Sequence, residues 1–441
     1  MLKKITSVLI IFVILLSLFN LSYASPPDLN ARAAILIDAK TGNVLFEKNA
    51  DKKMYPASTT KIMTAILALE KVAKGEISLE QPITYTKTAE ATMEADGSNI
   101  ALKVGEQMTL GDLLKGLLLA SGNDAAAIIA EYIGGTIGDF VVLMNEKAKT
   151  LGLKGTHFAN PHGLHNEENY TTASDMAKIA LEAMKNETFR SIVECAHIRL
   201  AATNISEERY YINTNNLVSR MRYPYYFYDK ATGIKTGSTT EAGYCLVSSA
   251  KDGDKEVIAV IFKSDDISAS HTDSKNILQY GLTEFSSIRF AKVDDIYGEV
   301  RVKQSSDGTD HILLSAKDNL EILFPKDKDS SEVEVITDIP ESVRAPISKG
   351  QEIGKVSFVY DSQVIGSIPL VATVDVKRHL LGFVMSFGEW LWGFRTIKII
   401  VYTVLTLIVL FILLIVIGFY KALKKSKSKK RRRTNYHPPR Y

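Results

Sequence analysis

An uncharged run near the C-terminus constrains this chain more than any other feature of its sequence. Residues 399–420 read IIVYTVLTLIVLFILLIVIGFY, without one charged side chain. A helix rises about 1.5 Å per residue, so this run spans roughly 33 Å, enough to cross the hydrocarbon core of a bilayer. A soluble helix of that length would show a polar face, and this one shows none. The sequence therefore predicts one C-terminal transmembrane helix over residues 399–420.

The segments at the two ends of the chain and beside the transmembrane helix predict the orientation of the chain in the membrane. The tail of residues 421–441 carries ten Lys and Arg, which belong on the cytoplasmic side, while Trp390 and Trp392 suit the outer interface. Residues 1–24 combine two lysines, an apolar run and a small residue at the end, as in a signal peptide cleaved after Ala24. The alternative is a retained N-terminal anchor. In either case the region between is expected outside the cytoplasm.

The charge balance argues against a nucleic-acid partner. The chain has 53 Lys and Arg against 50 Asp and Glu, but twelve of the basic residues lie in the signal peptide and the tail. The exported region therefore carries an excess of about nine acidic groups and offers no polyanion-binding surface. The basic tail could itself bind nucleic acid, but its place beside a membrane span explains it better.

Two cysteines and the absence of ligand-like spacing limit the chemistry further. Cys195 and Cys245 are too few for a disulfide framework, and the sequence leaves open whether they pair. Cys245 lies in an apolar segment, which favours a buried packing role. No cluster of His, Cys and acidic residues has the spacing of metal ligands, so neither a metal nor a cofactor is predicted.

The exported region predicts an α+β domain, an antiparallel sheet flanked by helices, over residues 29–287. Apolar runs surround turn residues at 40–43 and at 251–255, which predicts two β-hairpins. Thr109 and Asp112 have the spacing of a capping box. Strands at both ends of a helical middle are typical of one sheet covered by helices. Helices are predicted from Ser58, twice within residues 109–134, over 137–151 and from about Ser174.

The pattern changes after residue 287. Residues 288–376 alternate over short runs separated by Asp, Gly and Ser turns, which predicts a small all-β domain. Residues 377–398 have the pattern of an amphipathic connector that leads to the transmembrane helix.

The stretch PASTTKIMTA places Ser58 and Lys61 three positions apart at a helix start, where their side chains are neighbours. A serine hydroxyl becomes a good nucleophile when a base takes its proton. Lysine can be that base only if its pKa falls several units, which burial and a second cation both favour. The first helical turn also offers free N–H groups to an oxyanion. By itself, however, Ser-x-x-Lys also fits an ordinary helix start with a surface lysine.

Two further segments supply partners for this pair. Ser121 and Asn123 lie between two predicted buried helices, where they either serve a site or cap a helix. Lys-Thr-Gly occurs twice, and residues 40–42 are explained by their hairpin turn alone. The second copy begins at Lys235 in a predicted strand, where Lys235 would be the second cation and Gly237 would let a substrate lie close to the backbone.

Ser-x-x-Lys, Ser-x-Asn and Lys-Thr-Gly in this order resemble the motifs of penicillin-binding proteins and serine β-lactamases. Over residues 29–376 the chain most resembles the low-molecular-weight penicillin-binding proteins of the D-alanyl-D-alanine carboxypeptidase type, which are serine peptidases of the β-lactamase/transpeptidase-like superfamily. The segments that carry this resemblance are YPASTTKIMTA, ASGNDAA, FANPHGL, YTTASDMAKIA, NTNNLV and GIKTGSTTEAGYCLV.

The resemblance implies a catalytic set and an activity. Ser58 would be the acylated nucleophile, Lys61 its general base and Ser121 a proton relay towards the leaving D-alanine. His162 would support the site rather than take part in the chemistry. The implied activity removes the terminal D-alanine from peptidoglycan pentapeptide stems, with β-lactam antibiotics as acylating inhibitors. The implied location is the cell membrane, with the catalytic domain on the cell-wall side.

The resemblance also implies the residues that bind the substrate. Asn123 would bind its peptide amide, while Lys235 and Thr236 would hold its terminal carboxylate beside Gly237. The backbone N–H groups of the nucleophile and of Ser238 would form the oxyanion hole.

One departure and two alternatives accompany this interpretation. Members of the family often have an arginine before an acidic residue after the last catalytic strand, but this chain has Ser270 and His271 there. Carboxylate binding would then depend more heavily on Lys235. A serine β-lactamase would need a glutamate that activates water, for which Glu167 and Glu168 are candidates. A non-catalytic β-lactam or cell-wall binding protein is the second alternative.

Overall fold

A computed structural model describes residues 25–94, 97–378 and 395–433 of the chain. The predicted signal peptide, Trp390, Trp392 and most of the predicted connector lie outside these residues. The described residues divide into two units, of which the first comprises the chain up to Lys292 together with Asn319–Ile336 and Ser357–Ser367. The second comprises Val293–Asp318, Thr337–Val356 and the chain from Ile368 onwards. The predicted boundaries, 29–287 and 288–376, stay a prediction.

The first unit is built on a five-stranded sheet with the order β2-β1-β9-β8-β7, in which every neighbouring pair is antiparallel. Both predicted hairpins are present, as β1–β2 and β8–β9, because glycines with positive φ close their turns. Strand β7 lies at the sheet edge, and β3–β4 and β5–β6 form two smaller antiparallel pairs. The strands are β1 Ala33–Asp38, β2 Val44–Lys48, β3 Pro82–Thr84, β4 Gln107–Thr109, β5 His197–Leu200, β6 Arg209–Ile212, β7 Ala231–Thr239, β8 Gly243–Asp252 and β9 Lys255–Ser264.

Helices cover both faces of this sheet. Strand β1 is buried along its whole length, and alternate side chains point to opposite faces. Ile35 packs into one hydrophobic cluster with most of the helices, and Leu36 packs into a second cluster with the last helix. The helices of this unit are α1 Lys61–Ala73, α2 Lys87–Glu90, α3 Leu110–Leu119, α4 Asn123–Gly134, α5 Ile137–Thr150, α6 Ala173–Met184, α7 Glu187–Val193 and α8 Ile267–Thr283.

Local signals explain several of the helix ends. Thr109 caps α3, since its hydroxyl accepts a hydrogen bond from the Asp112 backbone N–H at 3.2 Å. Helix α5 is followed by Gly152 at φ +67°, where the predicted helix stops. Helix α8 was not predicted, because it buries polar residues such as Ser274 and Asp273 that hide its apolar period. The Asp273 carboxylate accepts a hydrogen bond from the backbone N–H of Ala31 at 2.8 Å.

After α8 the regular elements of the described residues up to 378 are strands and one short 3-10 turn, Ser330–Glu332, which confirms the predicted all-β domain. A six-stranded sheet has the order β14-β16-β17-β12-β11-β15, and β10 pairs with β13. The pairs β11–β12 and β12–β17 are antiparallel, whereas β11–β15 is parallel. These strands are β10 Phe285–Ala291, β11 Ile296–Lys303, β12 His311–Ala316, β13 Leu320–Pro325, β14 Glu334–Asp338, β15 Ser342–Arg344, β16 Glu352–Tyr360 and β17 Gln363–Ala372.

The last helix, α9, runs from Arg395 to Arg433 and contains the predicted transmembrane segment. Its apolar part, Lys398–Lys424, is 27 residues long and contains an 18-residue stretch with a mean hydropathy of 3.2. This length and composition are sufficient to cross a membrane, and the helix fits a membrane anchor.

Candidate active site

Ser58 lies in a short 3-10 turn, Ala57–Thr60, that leads directly into α1. Side chains three residues apart eclipse one another in 3-10 geometry, so Lys61 comes to lie against Ser58. The Lys61 Nζ is 2.9 Å from the Ser58 Oγ. Ala57, the residue before the serine, has φ +47°, a left-handed conformation that is strained for alanine. The backbone is therefore strained at the residue directly before the serine.

The Lys61 amine is fully buried among neutral oxygen atoms. Besides Ser58 it contacts the Asn123 side-chain oxygen at 2.7 Å and the His162 backbone carbonyl at 2.6 Å. Burial lowers the pKa of Lys61 well below its ordinary value, and the nearby positive charge of Lys235 lowers it further, while Asp124 acts in the opposite direction. A neutral amine has two N–H groups and one lone pair. Two donated hydrogen bonds to the carbonyl oxygens leave the lone pair facing the serine hydroxyl.

The Ser121–Asn123 segment forms the second wall of the site. Asn123 is the first residue of α4, and its backbone N–H donates to the Ser98 carbonyl at 2.8 Å. The buried carboxylate of Asp124 accepts hydrogen bonds from the backbone N–H groups of Ile100 and Ala125. Asp124 thus anchors the helix start, which leaves the Asn123 side chain free to bind Lys61. Ser121 has φ +63° and is buried.

The Lys235–Ser238 segment runs along β7 at the sheet edge. Lys235 is fully buried, its Nζ donates to the Thr236 carbonyl at 2.9 Å, and burial lowers its pKa to about 7. The Thr236 hydroxyl donates to the Thr214 hydroxyl at 2.7 Å. A Cβ on Gly237 would lie 3.0 Å from the backbone nitrogen of Ser58. Glycine at this position therefore lets β7 approach the turn that carries the serine.

The loop around His162 supports the lysine from the other side. The His162 ring is buried, and its Nδ1 accepts a hydrogen bond from the Leu164 backbone N–H at 3.2 Å. Burial lowers the pKa of His162 to about 3, so the ring is neutral near pH 7. Only its backbone carbonyl contacts Lys61, which is a structural role. The other Lys-Thr-Gly stays in its turn, where the Thr41 hydroxyl donates to Asp38 at 2.8 Å.

A cavity of about 260 Å³ brings the three motifs together. Predicted site residues at its surface are Ser58, Ser121, Thr236, Gly237 and Ser238, while Lys61, Asn123 and Lys235 are buried and do not line it. Further lining residues, for which the sequence predicts no role, are Ser98, Thr214, Asn216, Arg222, Tyr223, Tyr244, Ile267, Ser270 and His271. Thr214 and Asn216 belong to NTNNLV, where a run of four polar residues before Leu217 and Val218 is the sequence signal that could have identified them. Arg222 and Tyr223 carry no such signal.

The structure also places the two glutamates of the β-lactamase alternative and the two cysteines. Glu167 and Glu168 are exposed and do not line the cavity, so neither is placed to activate a water there. Cys195 and Cys245 are both free thiols. Cys245 is buried at the cavity wall, as predicted for a packing residue, and burial raises its pKa to about 12.

Comparison with known proteins assigns the chain. Residues 20–266 match the model of the D-alanyl-D-alanine carboxypeptidase family, and residues 285–378 match that of the penicillin-binding protein 5 C-terminal domain. The chain belongs to the D-alanyl-D-alanine carboxypeptidase family. Members of this family are serine peptidases, so the predicted family, enzyme class and function are confirmed.

Relatives of this carboxypeptidase match it over most of its length. D-alanyl-D-alanine carboxypeptidase DacF from Bacillus subtilis is 34% identical over 399 residues, covering 88% of this chain and 99% of that protein. DacC from Escherichia coli is 31% identical, covering 82% and 91%. Penicillin-binding protein 5 from Haemophilus influenzae, a crystal structure, is 30% identical with a TM-score of 0.68, covering 80% and 100%. The Streptomyces K15 DD-transpeptidase structure is 36% identical with a TM-score of 0.54, covering 59% and 99%. The chain therefore has a penicillin-binding fold.

Proposed function

We propose that this carboxypeptidase removes the terminal D-alanine of peptidoglycan stem peptides through an acyl-enzyme on Ser58, on the outer side of the cell membrane. The observation that carries the proposal is the contact of 2.9 Å between the Ser58 Oγ and a fully buried Lys61 amine. A hydroxyl beside a neutral amine can lose its proton at the moment it attacks a carbonyl.

Acylation begins when the Ser58 Oγ attacks the carbonyl carbon of the D-alanyl-D-alanine bond and its proton passes to the Lys61 lone pair. The charge that develops on the substrate oxygen is stabilised by the backbone N–H groups of Ser58 and Ser238. Loss of one such donor typically costs about 3 kcal/mol in the barrier. The free edge of β7 lets the extended substrate add alongside the sheet.

The carbon–nitrogen bond then breaks, and the leaving amine of D-alanine takes a proton through the Ser121 hydroxyl. Asn123 binds the peptide amide, and the Thr236 hydroxyl holds the terminal carboxylate above the buried charge of Lys235. Water next attacks the ester on Ser58, which releases the shortened peptide and returns the proton to the serine oxygen. Bonds and protons balance without a cofactor.

Labelling by a fluorescent penicillin tests the roles of Ser58 and Lys61. We expect Ser58→Ala to abolish the label, since no acyl-enzyme can form, and Lys61→Ala to slow labelling by orders of magnitude with the fold intact. Lys40→Ala, in the other Lys-Thr-Gly, is the matched control and should be labelled at the wild-type rate. Lys235→Ala should be labelled more slowly than the wild type. Retained labelling of Ser58→Ala would overturn the assignment of the nucleophile.

The proposed topology places the catalytic unit outside after cleavage of the signal peptide, with residues 421–441 in the cytoplasm. Cys195 is an exposed free thiol and Cys245 is buried, which gives a direct probe. A membrane-impermeant maleimide added to intact cells is expected to label the wild-type protein and to leave Cys195→Ser unlabelled. Labelling of the wild type only after the cells are lysed would contradict an outward-facing catalytic unit.

A further inference from the structure

The substrate of the proposed function carries a free carboxylate, and the cavity offers few groups to neutralise it. The Lys235 side chain is fully buried, does not line the cavity and donates to the Thr236 backbone carbonyl. Ser270 and His271 are neutral, since burial lowers the pKa of His271. The remaining lining groups that can donate to an anion are mostly hydroxyls, such as those of Thr214 and Thr236.

Arg222 is the cationic side chain that lines this cavity, within the part of the chain that the structure describes. It is exposed, and no carboxylate or carbonyl among the described residues forms an ion pair or hydrogen bond with its guanidinium. A guanidinium is charged at all physiological pH values and matches a carboxylate with two parallel N–H groups. Its charge at the cavity is therefore not neutralised by the protein itself.

The loop that carries Arg222 is held in place from both ends. At its base the Tyr228 backbone N–H donates to the Leu217 carbonyl at 2.9 Å. Near its C-terminal end the buried Tyr226 ring stacks on His271 of α8, with centroids 5.1 Å apart. The His271 Nε2 also accepts a hydrogen bond from the Asn216 backbone N–H at 3.3 Å. Arg222 therefore projects from a loop whose two ends are held in place.

We propose that Arg222 determines specificity for a free C-terminal carboxylate, binding it together with the hydroxyls of Thr236 and Thr214. This inference rests on the proposed function. Under this proposal the two basic side chains near the cavity have different tasks. Lys235 lies beneath the wall and lowers the pKa of Lys61, while Arg222 at the rim recognises the substrate's terminal charge.

The test compares two tripeptides, diacetyl-L-lysyl-D-alanyl-D-alanine and the same peptide with a C-terminal amide, on the detergent-solubilised full chain. Hydrogen bonds to a charged group contribute about 1.5–3 kcal/mol, so Arg222→Gln should lower kcat/KM for the acid by at least about tenfold. The value for the amide should stay unchanged. Arg222→Lys keeps the charge and should recover part of the loss for the acid.

Arg220→Gln is the matched control, because it removes the same charge two residues away. Arg220 stacks on Phe227 with 4.1 Å between its guanidinium carbon and the ring centre, and it does not line the cavity. It should leave kcat/KM unchanged for both peptides. As a second measurement, kcat/KM for the acid should fall with added NaCl in the wild type and less so in Arg222→Gln, because a charge pair at the rim is screened.

The outcomes separate this inference from the proposed function. A wild type that cleaves neither peptide and is not acylated at Ser58 contradicts the proposed function. A wild type that cleaves the acid, with Arg222→Gln equally active and equally sensitive to salt, overturns only the role of Arg222. An equal loss for acid and amide in Arg222→Gln also overturns it, since the residue would then act on the loop rather than on the carboxylate.

Discussion

Replacing Gly163 by alanine tests whether the His162 loop positions the nucleophile. Gly163 has φ +85°, and a Cβ there would lie 1.9 Å from the carbonyl oxygen of Ala57 and 3.0 Å from the backbone nitrogen of Ser58. An ordinary carbon–oxygen contact is about 3.3 Å, so the two backbones must separate by about 1.4 Å. That movement displaces the turn holding Ser58, or it removes the His162 carbonyl from Lys61.

A misplacement of about 1 Å near reacting atoms costs on the order of 100-fold in rate. We therefore expect the second-order rate of acylation by benzylpenicillin to fall about 100-fold in Gly163→Ala, measured as the appearance of the acyl-enzyme by intact-protein mass spectrometry. The left-handed conformation should also cost about 1–2 kcal/mol of stability, which thermal unfolding would detect as a lower Tm.

Gly135→Ala is the control that separates the effect of backbone strain from the effect of the Cβ contact with the Ser58 turn. Gly135 has φ +78°, and a Cβ there would meet no atom within 4 Å. This variant should lose a similar amount of stability to backbone strain and keep the wild-type acylation rate per folded molecule. Wild-type acylation in Gly163→Ala would refute the reasoning, because the loop could then move without disturbing Ser58.

Three further predictions follow from the same contacts. Lys235→Met removes a positive charge that lowers the pKa of Lys61, so that pKa rises and the acid limb of the kcat/KM profile should move to higher pH; an unmoved limb would show that the two amines do not interact. Asn123→Ala removes an acceptor of the Lys61 amine and should slow acylation at least about tenfold. Acylation at the wild-type rate would contradict this role of Asn123. Thr109→Ala removes the cap of α3 and should lower the free energy of unfolding by about 1 kcal/mol without changing acylation, as chemical denaturation would measure.

Features set by short-range signals were predictable from the sequence. The two hairpins of the five-stranded sheet follow from turn residues between apolar runs, and Thr109 marks its helix start through a local hydrogen bond. The helix around Lys61 follows from apolar spacing. Each of these depends on residues only a few positions apart, so the pattern carries the information.

Other features depend on contacts between distant segments. Helix α8 buries Ser274 and Asp273 because their partners lie elsewhere in the chain, and no periodic pattern marks it. The His162 carbonyl that contacts Lys61 belongs to the backbone, which every residue type provides. Arg222 reaches the cavity through a loop anchored on α8. Gly237 lines the cavity and also lies against the turn of Ser58, a contact that the sequence did not predict, while its role in making room for substrate stays a prediction.

The charge state of Lys61 is the most direct test of the whole account. NMR titration of the lysine side-chain ¹³Cε resonances, with Lys61 assigned by comparison with Lys61→Arg, reports its pKa in the folded protein. We expect a pKa well below the ordinary 10.5, with the amine neutral at the pH where acylation is fast. A Lys61 that titrates near 10.5 would contradict the claim that this amine accepts the proton of Ser58.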